Sequence, residues 1–181
     1  MMRRKKGFTL IELLVVIAIL MILMTMLMPG AAYLRQQAKR RQAASEARAL
    51  MNAIVAYRNE YAEWPGQSDI IDNPSDTTYG YGAVHATCSN IINILTNPIT
   101  NPRDTMFLDL PPTVINSDGY AQDPWGQSYI IVMDEWDDGQ LTVSASYDGA
   151  TISTSMPVAQ VFVASWGPEP ENVKKRIMTW E

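Results

Sequence analysis

Gly7-Phe8-Thr9-Leu10-Ile11-Glu12-Leu13-Leu14-Val15-Val16-Ile17-Ala18-Ile19-Leu20 opens an apolar run that continues to Met28. From Phe8 to Met28 there are 21 residues, nearly all Leu, Ile, Val, Met or Ala, and Glu12 is the one ionisable side chain among them. At 1.5 Å rise per residue a helix of this length covers roughly 31 Å, the thickness of a hydrocarbon core. The run therefore predicts a transmembrane helix over 8–28. A carboxylate inside such a span costs ~3 kcal/mol even on insertion scales. No Lys or Arg follows within the span to pair with it. Either Glu12 lies near enough the interface to snorkel or to be protonated, or a positive group is created beside it. Two plainer readings of the run stay open. One is an ordinary signal anchor. The other is a secretory signal peptide cut near Gly30-Ala31-Ala32, although the run is long for that role.

Charge divides the 181 residues into zones. Residues 1–7 carry Arg3, Arg4, Lys5 and Lys6 and no acid. Residues 30–64 are net +3, and residues 65–181 hold fifteen acids against four bases. A basic start, an apolar span and an acidic body predict one membrane crossing, with the basic end held in the cytoplasm. The overall charge of −5 disfavours nucleic acid as a partner. One cysteine excludes an intramolecular disulfide framework, and one histidine excludes most zinc sites.

After the span, Pro29 predicts a kink in a continuing helix. Ala43, Ala47, Leu50, Ile54, Tyr57, Tyr61 and Trp64 then recur at spacings of four and three, one face of an α-helix over six turns. Lys39, Arg40 and Arg41 fall off that face. They are either a solvated patch or a contact for acidic lipid headgroups or an acidic face of another subunit. Pro65-Gly66 ends the helix. Residues 66–82 read as a surface loop and 83–96 as a short helix carrying Cys88 on its apolar side, a buried inert thiol. Strands are expected at 128–134, 141–147 and 160–165. Asp138-Gly139 is expected to turn the first two into a hairpin, with a Gly-, Ser- and Thr-rich loop leading to the third. Fold class is α+β: a long N-terminal helix, membrane-spanning in its first half, lying on a small antiparallel sheet.

The segment from Gly7 to Leu20 resembles the N-terminal motif of type IV prepilins and type II secretion pseudopilins. Tyr57 to Pro65 is similar to the end of the long helix in the major-pseudopilin branch. Asp123-Pro124-Trp125-Gly126-Gln127-Ser128-Tyr129 looks like that branch's segment leading into its sheet; read alone it is a plain turn. The resemblance implies a pilin-like chain in four parts: a cleaved leader 1–7, an assembly helix 8–28, its amphipathic continuation 29–64, and a periplasmic body 65–181. It implies that a prepilin peptidase cuts between Gly7 and Phe8 and methylates the Phe8 amine. That amine is the cation Glu12 lacks: Glu12 of one subunit pairs with Phe8 of a neighbour, which offsets much of the desolvation of both. The partners implied are copies of the chain, other pseudopilins, and an inner-membrane assembly platform with its ATPase.

No enzymatic constellation is present, and no cofactor is expected. The resemblance implies one metal candidate, a calcium loop near the C-terminus. Here that stretch offers Glu169, Glu171 and Asn172 as oxygen donors, between Pro168 and Pro170 and without the family's aspartates. Asp137 and Asp138 read as a solvated hairpin tip. The expected function is a structural subunit of a type II secretion-like filament in the inner membrane. Alternatives are a type IV pilus or DNA-uptake pilin, and a membrane-tethered binding module with Trp125, Trp136 and Trp166 as a carbohydrate platform.

Overall fold

The computed structural model describes residues 8–66, 76, 78–80, 85–147, 150–157, 159–169, 172 and 176–179, without the side chains of 26–30, 85–87, 147, 150–151 and 154. The chain forms two compact units, Met1–Lys39 and Arg40–Glu181. One helix, α1 (Leu10–Tyr61), runs through the boundary between them. Its backbone stays helical through 26–30, so Pro29 does not end it. The kink expected at Pro29 lies outside the described side chains.

In the first unit the large apolar side chains from Leu10 to Met24 are exposed, Leu10 by 82% and Met24 by 64%. Among the described residues no helix is long and apolar enough to cross a membrane. The side chains of 26–28, over which the sequence carries the apolar run to Met28, lie outside those described.

The second unit is built on β2 (Ile130–Met133) and β5 (Val161–Ser165), which pair antiparallel with Ile130 opposite Ala164 and Val132 opposite Phe162. Every residue of both strands is buried. A strand apolar on both faces must be covered on both. One cover is helical. Ala43, Ala47, Leu50 and Ile54 of α1 and Cys88, Ile91, Ile92 and Leu95 of α2 (His85–Thr96) are all buried. All of these but Ala43 join Ile131, Met133 and Val163 in one core. The periodic face read from the sequence is thus the buried face. Tyr57 and Tyr61 are half-buried there and meet Phe107 edge-on at 5.3 and 5.7 Å. The other cover is a hairpin of β3 (Gln140–Tyr147) and β4 (Ala150–Pro157). Leu141, Val143, Ala145 and Ile152 of the hairpin bury Ile130, Val132, Phe162 and Trp166 in a second core. Short strands β1 (Thr78–Tyr79) and β6 (Ile177–Met178) extend the sheet to the order β1-β2-β5-β6.

The α+β class stands; the strand pairing expected from the sequence does not. Residues 130–133 pair with 161–164, not with 141–147. The stretch read as a Ser/Thr-rich loop is β4 itself. The reason is face chemistry. β2 has no polar face to leave in water, so it needs the equally apolar β5. β3 alternates buried Leu141, Val143 and Ala145 with exposed Thr142 and Ser144, and needs a strand of the same alternation. β4 supplies it, with Ser155 opposite Thr142 and Ser153 opposite Ser144. The hairpin's Asp-Gly pair is Asp148-Gly149, which lies outside the described residues, rather than Asp138-Gly139.

Gly80 sits beside β1 at φ +81, where a Cβ would stand 1.8 Å from the Tyr129 carbonyl oxygen. Gly139 has φ +74 and open space around it. We expect Gly80→Ala to cost more than ~3 kcal/mol, because both the backbone and the neighbouring strand must move, and Gly139→Ala only ~1 kcal/mol from the left-handed backbone alone. Urea unfolding of the two variants checks this; equal costs would mean that β1 does not hold Gly80 against β2.

Candidate functional site

The N-terminal end of α1 carries a reciprocal cap. The Thr9 backbone N–H and its hydroxyl both donate to Glu12 Oε2, at 2.9 and 2.8 Å, and the Glu12 N–H donates to Thr9 Oγ1 at 3.3 Å. This is the capping box, Thr at the N-cap and Glu three residues on. It was readable as Thr-x-x-Glu before an apolar run, and the sequence reading passed over it. Both Thr9 donors fall on one oxygen; among the described residues Glu12 Oε1 accepts nothing. Phe8 is 80% exposed one residue ahead of the cap. Gly7 and the leader charges Arg3, Arg4, Lys5 and Lys6 lie outside the described residues. The chemistry available here is ionic: a carboxylate held in register by the helix end, with one oxygen open to a cation.

In the body, the Asp123–Tyr129 segment is more than a turn. Asp123 is 4% exposed. Its Oδ1 accepts from the Trp125 and Gln127 N–H groups at 3.0 and 2.8 Å, and its Oδ2 accepts from the Ser165 hydroxyl at 2.6 Å. Ser165 Oγ in turn accepts from the Gly167 N–H at 3.0 Å. Tyr129 OH donates to Glu46 Oε2 on α1 at 2.6 Å. The segment thus ties the end of β5 and the sheet entry to the long helix. Burial pushes the Asp123 carboxyl up, against the opposing pull of Ser165, Gln127 and Trp125. The Tyr129 hydroxyl is also raised, first by burial and then by Glu46. These bonds hold the fold together.

The loop between β2 and β3 is not simply solvated. Arg58 forms an ion pair with Asp137, donates to the Asp134 carbonyl at 3.4 Å and lies over the Trp64 ring at 3.9 Å. Trp64 Nε1 donates to the same carbonyl at 2.8 Å. Asp138 accepts from the Gln140 N–H at 2.7 Å. Trp166 is 2% exposed and Trp125 half-buried, while Trp136 is 49% exposed. The three tryptophans therefore form no common platform, and the carbohydrate-binding alternative loses its basis. Cys88 is fully buried, and burial pushes its thiol up to about 12.

The calcium loop expected at Glu169, Glu171 and Asn172 falls only partly within the described residues. Glu171 lies outside the described residues. Glu169 spends its carbonyl on the Asn172 N–H at 3.0 Å. Among the described residues no group of three His, Cys, Asp or Glu side chains is placed to hold a metal. No step is derived through calcium.

Residues 2–28 match the prokaryotic N-terminal methylation motif. The chain is 29% identical over 136 residues to type II secretion system core protein G of Dickeya chrysanthemi, covering 73% of this chain and 71% of that protein. It is 28% identical over 133 residues to the protein of the same name from Pectobacterium carotovorum subsp. carotovorum, covering 71% and 67%. It is 24% identical over 139 residues to that of Escherichia coli (strain K12), covering 71% and 72%. No solved structure matches. The resemblance read from the sequence, to prepilins and most of all to the major pseudopilin of type II secretion, holds.

Asp123 gives a signed pH test. Its folded pKa is raised, so its protonation favours the fold: the gain is full below the unfolded value and is lost as pH rises through the folded one. Asp123→Asn keeps the acceptor oxygen and removes the charge. We expect it within ~1 kcal/mol of wild type at neutral pH, and Asp123→Ala to cost ~2–3 kcal/mol. On acidification wild type should gain stability relative to Asp123→Asn, measured by urea midpoints from pH 7 to 4; a relative loss would reverse the sign of the burial effect. Cys88 should resist iodoacetamide at pH 8 in the folded protein and react once it is unfolded, read by mass spectrometry.

Proposed function

We propose that this chain is a pseudopilin, a structural subunit of a type II secretion-like periplasmic filament. One observation carries the proposal: a prepilin methylation motif over 2–28 stands at the head of a chain similar, over about 70% of its length, to type II secretion system core protein G. The relatives' shared name favours secretion over a type IV or DNA-uptake pilus, and a structural role over an enzymatic one.

In this reading Arg3, Arg4, Lys5 and Lys6 hold the leader in the cytoplasm. Residues 8–28 cross the inner membrane, and the body 65–181 lies in the periplasm on the continuing helix 29–64. A prepilin peptidase cuts between Gly7 and Phe8 and methylates Phe8. Glu12, already held by Thr9, offers Oε1 to the Phe8 amine of a neighbouring copy. The exposed apolar face of α1 then passes from lipid to the flanks of other subunits without entering water. Partners are further copies, other pseudopilins, the peptidase and, through an assembly platform, an ATPase whose work is coupled to protein export.

Protein purified from its native membranes should start at N-methylated Phe8 by mass spectrometry. An intact Met1, with active peptidase in the host, would make the chain an unprocessed anchor; a start near Ala31 would remove the assembly helix and the proposal with it. Glu12→Ala should still be processed but lose filament assembly about a hundredfold, since removing one member of a desolvated pair costs ~3 kcal/mol. Wild-type filament yield from Glu12→Ala would overturn the pairing.

A further inference from the structure

Two surfaces of the body have no part in the roles above. The first is the face of α1 turned away from the core. Arg41, Ser45, Arg48 and Asn52 follow one another at spacings of four, three and four, and all are exposed. Arg41 and Arg48 form no ion pair among the described residues. The second is the β2–β3 loop, 134–139, with Asp134, Glu135, Asp137 and Asp138 and the exposed indole of Trp136. Of these acids Asp134 is buried and Glu135 half-buried, so the exposed charges are those of Asp137, which Arg58 pairs, and Asp138.

We propose that the 134–139 loop of one copy docks on the Arg41–Ser45–Arg48 face of a second copy, with Trp136 laid against the arginines and Asp138 facing them. The inference rests on the filament reading and names the body contact that reading leaves open. The two surfaces are opposite in charge, which steers and orients association. Trp and Arg are the residue types that most often carry interface energy, and a guanidinium over an indole face is attractive in itself. The chain already uses this grouping internally, where Arg58 lies over Trp64 and pairs with Asp137.

Loop and stripe are different patches, so the contact is heterologous and does not close on itself; it extends as a chain of copies. The loop is fixed to α1 at Arg58, through Asp137 and the Asp134 carbonyl. Arg48 and Arg41 lie ten and seventeen residues earlier, so the second copy is displaced along the helix axis by roughly 15–25 Å. An anionic lipid surface fits the stripe less well. The acidic body would be repelled by such a surface.

The test uses the full chain assembled in cells. Ser45→Cys and Asp138→Cys are placed in separately tagged copies and joined with a flexible bis-maleimide; Cys88 is buried and does not interfere. We expect a cross-linked pair of the two tags in filaments, and none between two Ser45→Cys copies. In parallel, Arg41→Glu/Arg48→Glu should lower filament yield roughly tenfold or more, because like charges then face each other. N-terminal processing and urea stability should stay unchanged. Wild-type filaments, no mixed cross-link and full assembly of the double variant would overturn the inference while leaving the pseudopilin reading intact. Loss of binding to anionic vesicles with normal filaments would assign the stripe to lipid and overturn it too. Processed wild-type protein that forms no filaments would instead overturn the proposed function.

Discussion

The body of this chain is organised by two strands that have no polar side. β2 and β5 bury every residue they contain, and a sheet built on them is stable only as the middle of three layers. That single requirement assigns work to the rest of the chain. The second half of α1, with α2, covers one face. The β3–β4 hairpin, inserted between the two strands, turns back to cover the other. Asp123 and Tyr129 then tie the sheet entry to the end of β5 and to the second half of α1.

The helical half of this arrangement was legible in the sequence. The four-and-three spacing from Ala43 to Trp64 named the buried face, and Leu95 followed by Asn97-Pro98 marked the end of α2. The sheet was legible only in part, because strand composition was weighed without asking which strands could share a face. Ile130-Ile131-Val132-Met133 and Val161-Phe162-Val163-Ala164 declare their pairing by being apolar throughout. Leu141 to Tyr147 and Ala150 to Met156 declare theirs by alternating. β4 was missed because only Ile152 and Met156 stand out among serines and threonines, a composition that also describes a loop. At the N-terminus the charge argument found Glu12 but not Thr9, since the local cap is a hydrogen-bond pattern rather than a hydropathy signal. The pairing of Arg58 with Asp137 joins residues 79 apart in sequence and leaves no trace in either neighbourhood.

The two units divide their labour by solvent. The first exposes its large apolar side chains from Leu10 to Met24, and no other described residue of that unit covers them. The second buries its apolar residues and shows water an acidic surface with a basic stripe along α1. One half therefore needs a low-dielectric surrounding and gains little orientation from it. The other works in water, where charge can orient a neighbour but contributes modestly to holding it.

The Thr9–Glu12 cap has a further consequence for the order of events. The peptide dipoles of α1 leave partial positive charge at its N-terminal end. If Phe8 becomes the first residue, its amine adds a full positive charge one residue from that end. Glu12 answers part of this, but through Oε2 its carboxylate is already committed to the Thr9 donors. A freshly cut subunit would then carry a local excess of positive potential, and the open oxygen of another copy's Glu12 would be a ready place to discharge it. Processing would act as a trigger, storing in each monomer a small electrostatic imbalance that only joining the polymer relieves.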